Sequence, residues 1–209
     1  MVSLMLQRFA VFFVCCSVVA LNCYGIELDF LFNTTIDVTN WQQVEAYLRD
    51  RQIDPDHVTK IDFEGHNLTH IPHWVFTKTK NVRNLDLTCN RLTALPDKLS
   101  QLRDLEVLTA PQNQISVVDP AISQLTKLKE LNLGHNNLND LPTTIGDIGS
   151  LQCLFLENND FVLLPGSICN LAPHLQRLSV RNNPLGAKDE GSAVGKTTLM
   201  QTFGHHFYF

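Results

Sequence analysis

The residues most suggestive of chemistry lie near the end of the chain, where residues 191–199 read Gly-Ser-Ala-Val-Gly-Lys-Thr-Thr-Leu. A phosphate-cradling loop needs Gly, four residues, then Gly-Lys-Ser/Thr, because its amides wrap the phosphate and its lysine neutralises it. Counting back from Gly195 puts Glu190 where that first glycine must stand, so a carboxylate would face the phosphate. Only 12 residues follow Thr197, too few for a sheet, a magnesium-binding acid and a base-reading segment. A helix start inside a terminal cap accounts for the same residues. A nucleotide-dependent switch built on this degenerate loop is the rival.

His66, His70 and His73 are close in sequence, as if for a metal. Zinc needs three or four converging ligands, yet this spacing puts His66 on a turn and the other two beside Pro72. They read as scattered surface histidines, so neither metal nor cofactor is expected. Ser and His residues show no nucleophile elbow and no orienting acid. The expectation is a non-enzyme.

A net charge of −5 with no Lys/Arg run argues against a nucleic-acid partner. Residues 1–8 carry one positive charge and 9–21 are uncharged and mostly apolar. Thirteen residues rising about 1.5 Å each fall short of the ~30 Å hydrocarbon core. With Cys23 and Gly25 ahead of Ile26, residues 1–25 are expected to be a cleaved secretory signal, with no stable membrane insertion afterwards. Three cysteines would remain, Cys89, Cys153 and Cys169. Cys89 and Cys153 fall about 14 Å apart at strand spacing, beyond the ~7 Å a disulfide spans. Free thiols are expected.

The elements that must position side chains follow in order. Residues 26–32 suit a short strand, and Asn33-Thr34-Thr35 is a glycosylation sequon, as is Asn67-Leu68-Thr69. Asn40 and Gln43 suit a capping box, and Trp41, Val44, Tyr47 and Leu48 recur at helical spacing through about Gln52. Residues 26–57 therefore form an expected N-terminal cap.

A pattern then repeats. In residues 128–148 apolar residues fill positions one, four, six, eleven, fourteen, eighteen and twenty-one, with Asn at nine and Pro at fifteen. Position one recurs as Val58, Val82, Leu105, Leu128, Leu151 and Leu175, in steps of 24, 23, 23, 23 and 24. Position nine is His66, Asn90, Asn113, Asn136, Asn159 and Asn183. Positions four and six share one face of a strand. A single coil cannot bury its own edge, so neighbours must stack.

Residues 58–185 thus resemble the leucine-rich-repeat (LRR) family, in the subclass whose return path begins Leu-Pro and runs on to Ile or Leu. The resemblance implies an α/β solenoid, a horseshoe arc of six coils with short parallel strands on the concave face. The Asn at nine can satisfy turn backbone in its own and adjacent coils. In the third coil Pro111 and Asp119-Pro120 break the pattern, so local distortion is expected there. The cysteine-rich caps common in extracellular members are absent. Residues 186–209 suit a C-terminal cap, helix then strand, with Thr198 and Gln201 as a second capping box.

Function then falls to the strand residues that the repeat leaves free. The expected partner-binding residues are Asp62, Asp86, Val107, Gln112, Glu130, His135, Phe155, Glu157, Arg177 and Arg181. They run from acidic to basic, and an exposed Phe155 on a polar sheet is the expected hot spot. The family resemblance implies a secreted, non-catalytic protein that binds other proteins, similar to LRR proteins that parasites direct at host proteins. A self-assembling surface or wall component is the alternative.

Overall fold

The computed structural model describes residues 26–29, 37–187, 189–204 and 207–208. The expected leader and the sequon at Asn33 lie outside them.

Each coil opens with a short strand: β2 (Val58–Asp62), β3 (Asn84–Asp86), β5 (Val107–Thr109), β7 (Glu130–Asn132), β8 (Cys153–Phe155) and β10 (Arg177–Ser179). β1 (Ile26–Asp29) and β12 (Phe207–Tyr208) flank them, giving an eight-stranded sheet ordered β1-β2-β3-β5-β7-β8-β10-β12. Every pairing in it is parallel. Position-four residues stay in register throughout, Ile61 to Leu85, Leu108, Leu131, Leu154 and Leu178. The repeat period and the strand register are the same quantity.

Positions four and six turn inward and meet the return path. Leu105, Leu108, Ala110 and Ile115 of the third coil are all 0% exposed. Each buried leucine contributes about 1.5–3 kcal/mol against leaving it in water. Later coils return through 3-10 turns at Asp97–Gln101, Pro120–Gln124, Thr143–Asp147 and Gly166–Leu171, whereas the first uses an α-helix, α2 (His73–Lys78). Two short strands, β4 (Ala94–Leu95) and β6 (Val117–Val118), pair beside that path.

The third coil is not distorted, contrary to expectation. Its 3-10 turn begins 23 residues from each neighbour's. Asp119 takes the place held elsewhere by Pro96, Pro142 and Pro165, and its carboxylate accepts the Ala121 N–H at 2.8 Å. Pro120 then occupies the first turn, where an N–H has no intrahelical partner to lose.

At the N-terminal end, α1 (Trp41–Asp50) starts on Asn40, whose side chain accepts the Gln42 N–H at 3.0 Å. The reciprocal half of the expected capping box differs, because Gln43 Oε1 accepts from Asp37 N–H instead of Asn40. Val44 and Leu48 are buried. Trp74 joins this helix to the first coil: its ring is 5.5 Å from Trp41 and 5.8 Å from Phe63, and its Nε1 donates to Val38 O.

At the other end, α3 (Lys196–Phe203) begins after Gly195, three residues before the expected Thr198 cap. Leu199 and Phe203 are its buried face. β11 (Ala193–Val194) runs antiparallel to β9 (Leu164–Pro165) of the fifth coil.

Candidate interaction face

The turns that end the strands are built by the asparagines. Asn136 Oδ1 accepts the Ile115 N–H at 2.9 Å, while its Nδ2 donates to Ala110 O, Leu133 O and Gly134 O at 3.0–3.1 Å. Asn90, Asn113, Asn159 and Asn183 repeat this arrangement. Two of the four bonds reach back to the preceding coil. The first coil has no preceding coil of this kind to serve, which is why His66 suffices there; its Nδ1 lies 3.0 Å from Glu64 O.

Position eight of every coil, one residue before the asparagine site, has a left-handed backbone. Its φ is +70° at Gly65 and 55–56° at Cys89, Gln112, His135, Asn158 and Asn182. This bend lifts the residues to the rim of the sheet, where they hydrogen-bond to one another across coils. Cys89 Sγ donates to Gln112 Oε1 at 2.6 Å. His135 Nε2 lies 3.0 Å from Asn158 Nδ2, and Asn182 Nδ2 donates to Asn158 Oδ1 at 2.9 Å. The sequence reading missed Asn182. The partial signal was Gly65, Asn158 and Asn182, residues tolerant of positive φ, at three of the six position-eight sites.

The acids at position five face the same turns. Asp62 accepts the Glu64 N–H, and Asp86 accepts both the N–H and the hydroxyl of Thr88. Asn132 accepts Gly134 N–H in the same way. The third coil has Thr109 there and Pro111 at position seven, which has no N–H to satisfy. Asp62 and Asp86 therefore serve the turn as well as the face.

The structure corrects the expectation for Phe155. The ring is half-buried, with the Arg177 guanidinium carbon 5.4 Å from its centre. Arg177 itself is exposed, and its Nε donates to Cys153 Sγ at 3.3 Å. Cys153 and Ser179, at strand positions where alternation alone points outward, are buried. The three cysteines of the described residues, Cys89, Cys153 and Cys169, are free thiols.

Of the remaining expected residues, Val107 and Glu130 pair in register on β5 and β7 and are half-buried. Gln112, His135 and Arg181 are exposed on the rim. Glu157 folds over Gly134: a Cβ there would lie 3.1 Å from its carboxyl carbon. Its Oε2 is buried without a hydrogen-bond partner. Asn67 is exposed, with φ 55°. The face thus brings Phe155, Arg177, His135 and Arg181 onto adjacent coils and leaves Asp62 and Asp86 at the opposite end.

The loop that suggested phosphate chemistry is occupied by the chain itself. Asp189 Oδ1 accepts the Gly195 N–H at 2.8 Å, and Oδ2 accepts the Thr198 hydroxyl at 2.7 Å. The next two amides donate to Gly186 O and Ala187 O. These bonds, the Thr198 hydroxyl first, hold the Asp189 carboxyl below the usual carboxylate range. Among the described residues no group of three or more His, Cys, Asp or Glu side chains could hold a metal ion. Nor is any helix among them long and apolar enough to cross a membrane.

The family model for leucine rich repeats matches residues 56–115 and 111–161. The chain belongs to the leucine-rich-repeat family. Its fold is similar to a Leptospira interrogans LRR protein at 32% identity and a TM-score of 0.61, over 73% of this chain and 36% of that one. It is also similar to a chain of the Toll–Spätzle complex of Drosophila, at 24% identity and a TM-score of 0.58, over 63% of this chain and 19% of that one. At that identity the second likeness speaks for the LRR fold alone. This LRR chain spans little more than a third of the first protein and just under a fifth of the second. No curated protein matches it.

Proposed function

We propose that this LRR protein recognises another protein through its concave strand face, by rigid presentation and without catalysis. The observation that carries the reading is the Phe155–Arg177 pair beside the hydrogen-bonded rim of His135, Asn158 and Asn182. A half-buried aromatic under an oriented guanidinium is the chemistry that interface hot spots favour. The surrounding rim is already ordered, so binding loses little conformational entropy. Six strands at about 4.8 Å give a face roughly 25 Å long, enough for one side of a standard interface.

The partner-binding set is Val107, Gln112, Glu130, His135, Phe155, Glu157, Arg177 and Arg181, with Asp62 and Asp86 at the far end. The organisation proposed with it is a cleaved signal at 1–25, an N-terminal cap at 26–57, coils at 58–185 and a C-terminal cap at 186–209. The protein is read as secreted and glycosylated at Asn33 and Asn67, of the kind parasites direct at host proteins. A pull-down from candidate host extracts with wild type and Phe155→Ala/Arg177→Glu tests the face. Recovery of a specific partner by wild type alone supports it, and equal recovery by the variant overturns it.

A further inference from the structure

A second charged surface lies off the strand face, at the edge where the coils enter their strands. Three residues of each coil line it: the one two before position one, the one just before it, and position two. The position-two residues form a continuous backbone ladder. Glu106 N–H donates to Arg83 O, Lys129 N–H to Glu106 O, Gln152 N–H to Lys129 O and Gln176 N–H to Gln152 O, at 2.7–2.8 Å. Side chains along this edge therefore stand one strand spacing apart.

Its charge is concentrated in coils two to four. Lys80, Arg83, Arg103, Lys127 and Lys129 are all exposed there and face two carboxylates, Asp104 and Glu106. Asp56, in the turn just before the first coil, closes the stripe at its N-terminal end. The two inner acids bridge coils, with Lys127–Asp104 at 2.5 Å and Lys129–Glu106 at 2.6 Å. The excess is three positive charges between coils two and four, on a chain whose net charge is −5. Glu106 reports the local field. Its carboxyl is held below the ordinary range by the Lys129 hydrogen bond first; burial opposes this, and the charges of Lys129, Arg83 and Lys127 each add a smaller lowering.

A shallow depression of about 580 Å³ runs along this edge from Glu106, Lys127 and Lys129, and beyond the fourth coil its lining has no Lys, Arg, Asp or Glu but Ser150, Gln152, His174 and Gln176. No Phe, Tyr or Trp occupies these positions in coils two to six, and the exposed large apolar residues among those described, Val117, Val162 and Met200, lie elsewhere. Protein interfaces rely on buried aromatic anchors, and single-stranded nucleic acids on stacking platforms. A linear row of cations continued by the side-chain amides of Gln152 and Gln176 suits an extended polymer of anionic and hydroxyl groups.

We propose that this edge binds a linear anionic polysaccharide, laid across the coils from Lys80 and Arg83 towards Gln176. Its negative groups meet the cations of coils two to four, and its hydroxyls meet the amides of Gln152 and Gln176 beyond. Binding is governed by counterion release, so it weakens steeply with salt.

The test uses the whole protein and a fluorescent heparin oligosaccharide, with uncharged dextran, oligothymidylate and anionic lipid vesicles as comparisons. Wild type is expected to bind heparin at low ionic strength and to weaken with salt as about three ions are released. Arg83→Glu/Arg103→Glu, checked for an unchanged melting temperature, is expected to bind about tenfold or more weakly. Phe155→Ala/Arg177→Glu is expected to bind heparin as wild type does, which separates this surface from the strand face. No binding at low salt overturns the proposal, as does equal binding by the edge variant. Oligothymidylate or vesicles bound as tightly as heparin overturn the polysaccharide assignment.

Discussion

The Arg177 guanidinium lies 5.4 Å over the Phe155 ring, one coil away, while its Nε donates to the buried Cys153 thiol. The arginine is thereby held over the ring by two contacts, and the aromatic surface is capped rather than bare. A cation over an exposed ring contributes about 0.5–1 kcal/mol. A double-mutant cycle with Phe155→Ala and Arg177→Ala, read by urea unfolding, should return a coupling of about that size. Strict additivity would mean that the two residues act independently.

The buried asparagines should dominate stability among polar residues. Asn136→Ala removes one acceptor and three donated bonds and leaves Ile115 N–H without its partner. Leaving buried polar groups unsatisfied costs about 1–3 kcal/mol each, so a loss of about 3 kcal/mol or more is expected. His66→Ala, in the coil whose ladder site serves no earlier coil, should fall within about 0.5 kcal/mol of wild type. Chemical denaturation of both variants checks the contrast.

Gly146, on the return path of coil four, packs directly against the Ser167 backbone of coil five. A Cβ there would sit 2.1 Å from Ser167 O, whereas one on Gly149 meets nothing within 4 Å. Gly146→Ala should therefore destabilise by about 1–3 kcal/mol through forced backbone movement. Gly149→Ala should change the melting temperature little. Equal effects would contradict the packing described for these turns.

The C-terminal cap carries a pH dependence of predictable sign. The Asp189 carboxyl sits below its ordinary value of about 3.9 because the folded state donates hydrogen bonds to the charged form. Folding therefore releases a proton in the window below that value. The contribution is complete above about pH 4 and is lost as pH falls through the lowered folded value. Amide exchange or limited proteolysis should show the tail loosening first in acid. Asp189→Asn should lose that dependence while leaving the central coils unaffected.

Much of the fold was legible because the repeat writes the same constraint six times. The 23-residue spacing of Leu108, Leu131 and Leu154 is enough to place them in register, since their period sets the strand register. Departures were harder to read. Asp119-Pro120 looked like a break, but Asp119 caps the turn as the prolines do and Pro120 needs no N–H. The interaction face was less legible still. Alternation put Phe155 outward, but only tertiary structure reveals Arg177 covering it. Position eight reads as Gly, Cys, Gln, His, Asn and Asn, and such mixed chemistry hides its shared left-handed backbone.

The most direct test of the strand-face reading is the affinity of the partner captured by the wild-type protein. It should be measured side by side for wild type, Phe155→Ala/Arg177→Glu and the edge variant Arg83→Glu/Arg103→Glu. Loss of one hot spot of about 2 kcal/mol lowers affinity about thirtyfold, so the first variant should weaken by at least that factor while the edge variant stays at wild-type affinity. Unchanged affinity in Phe155→Ala/Arg177→Glu, with both variants folded, would contradict recognition through the concave face.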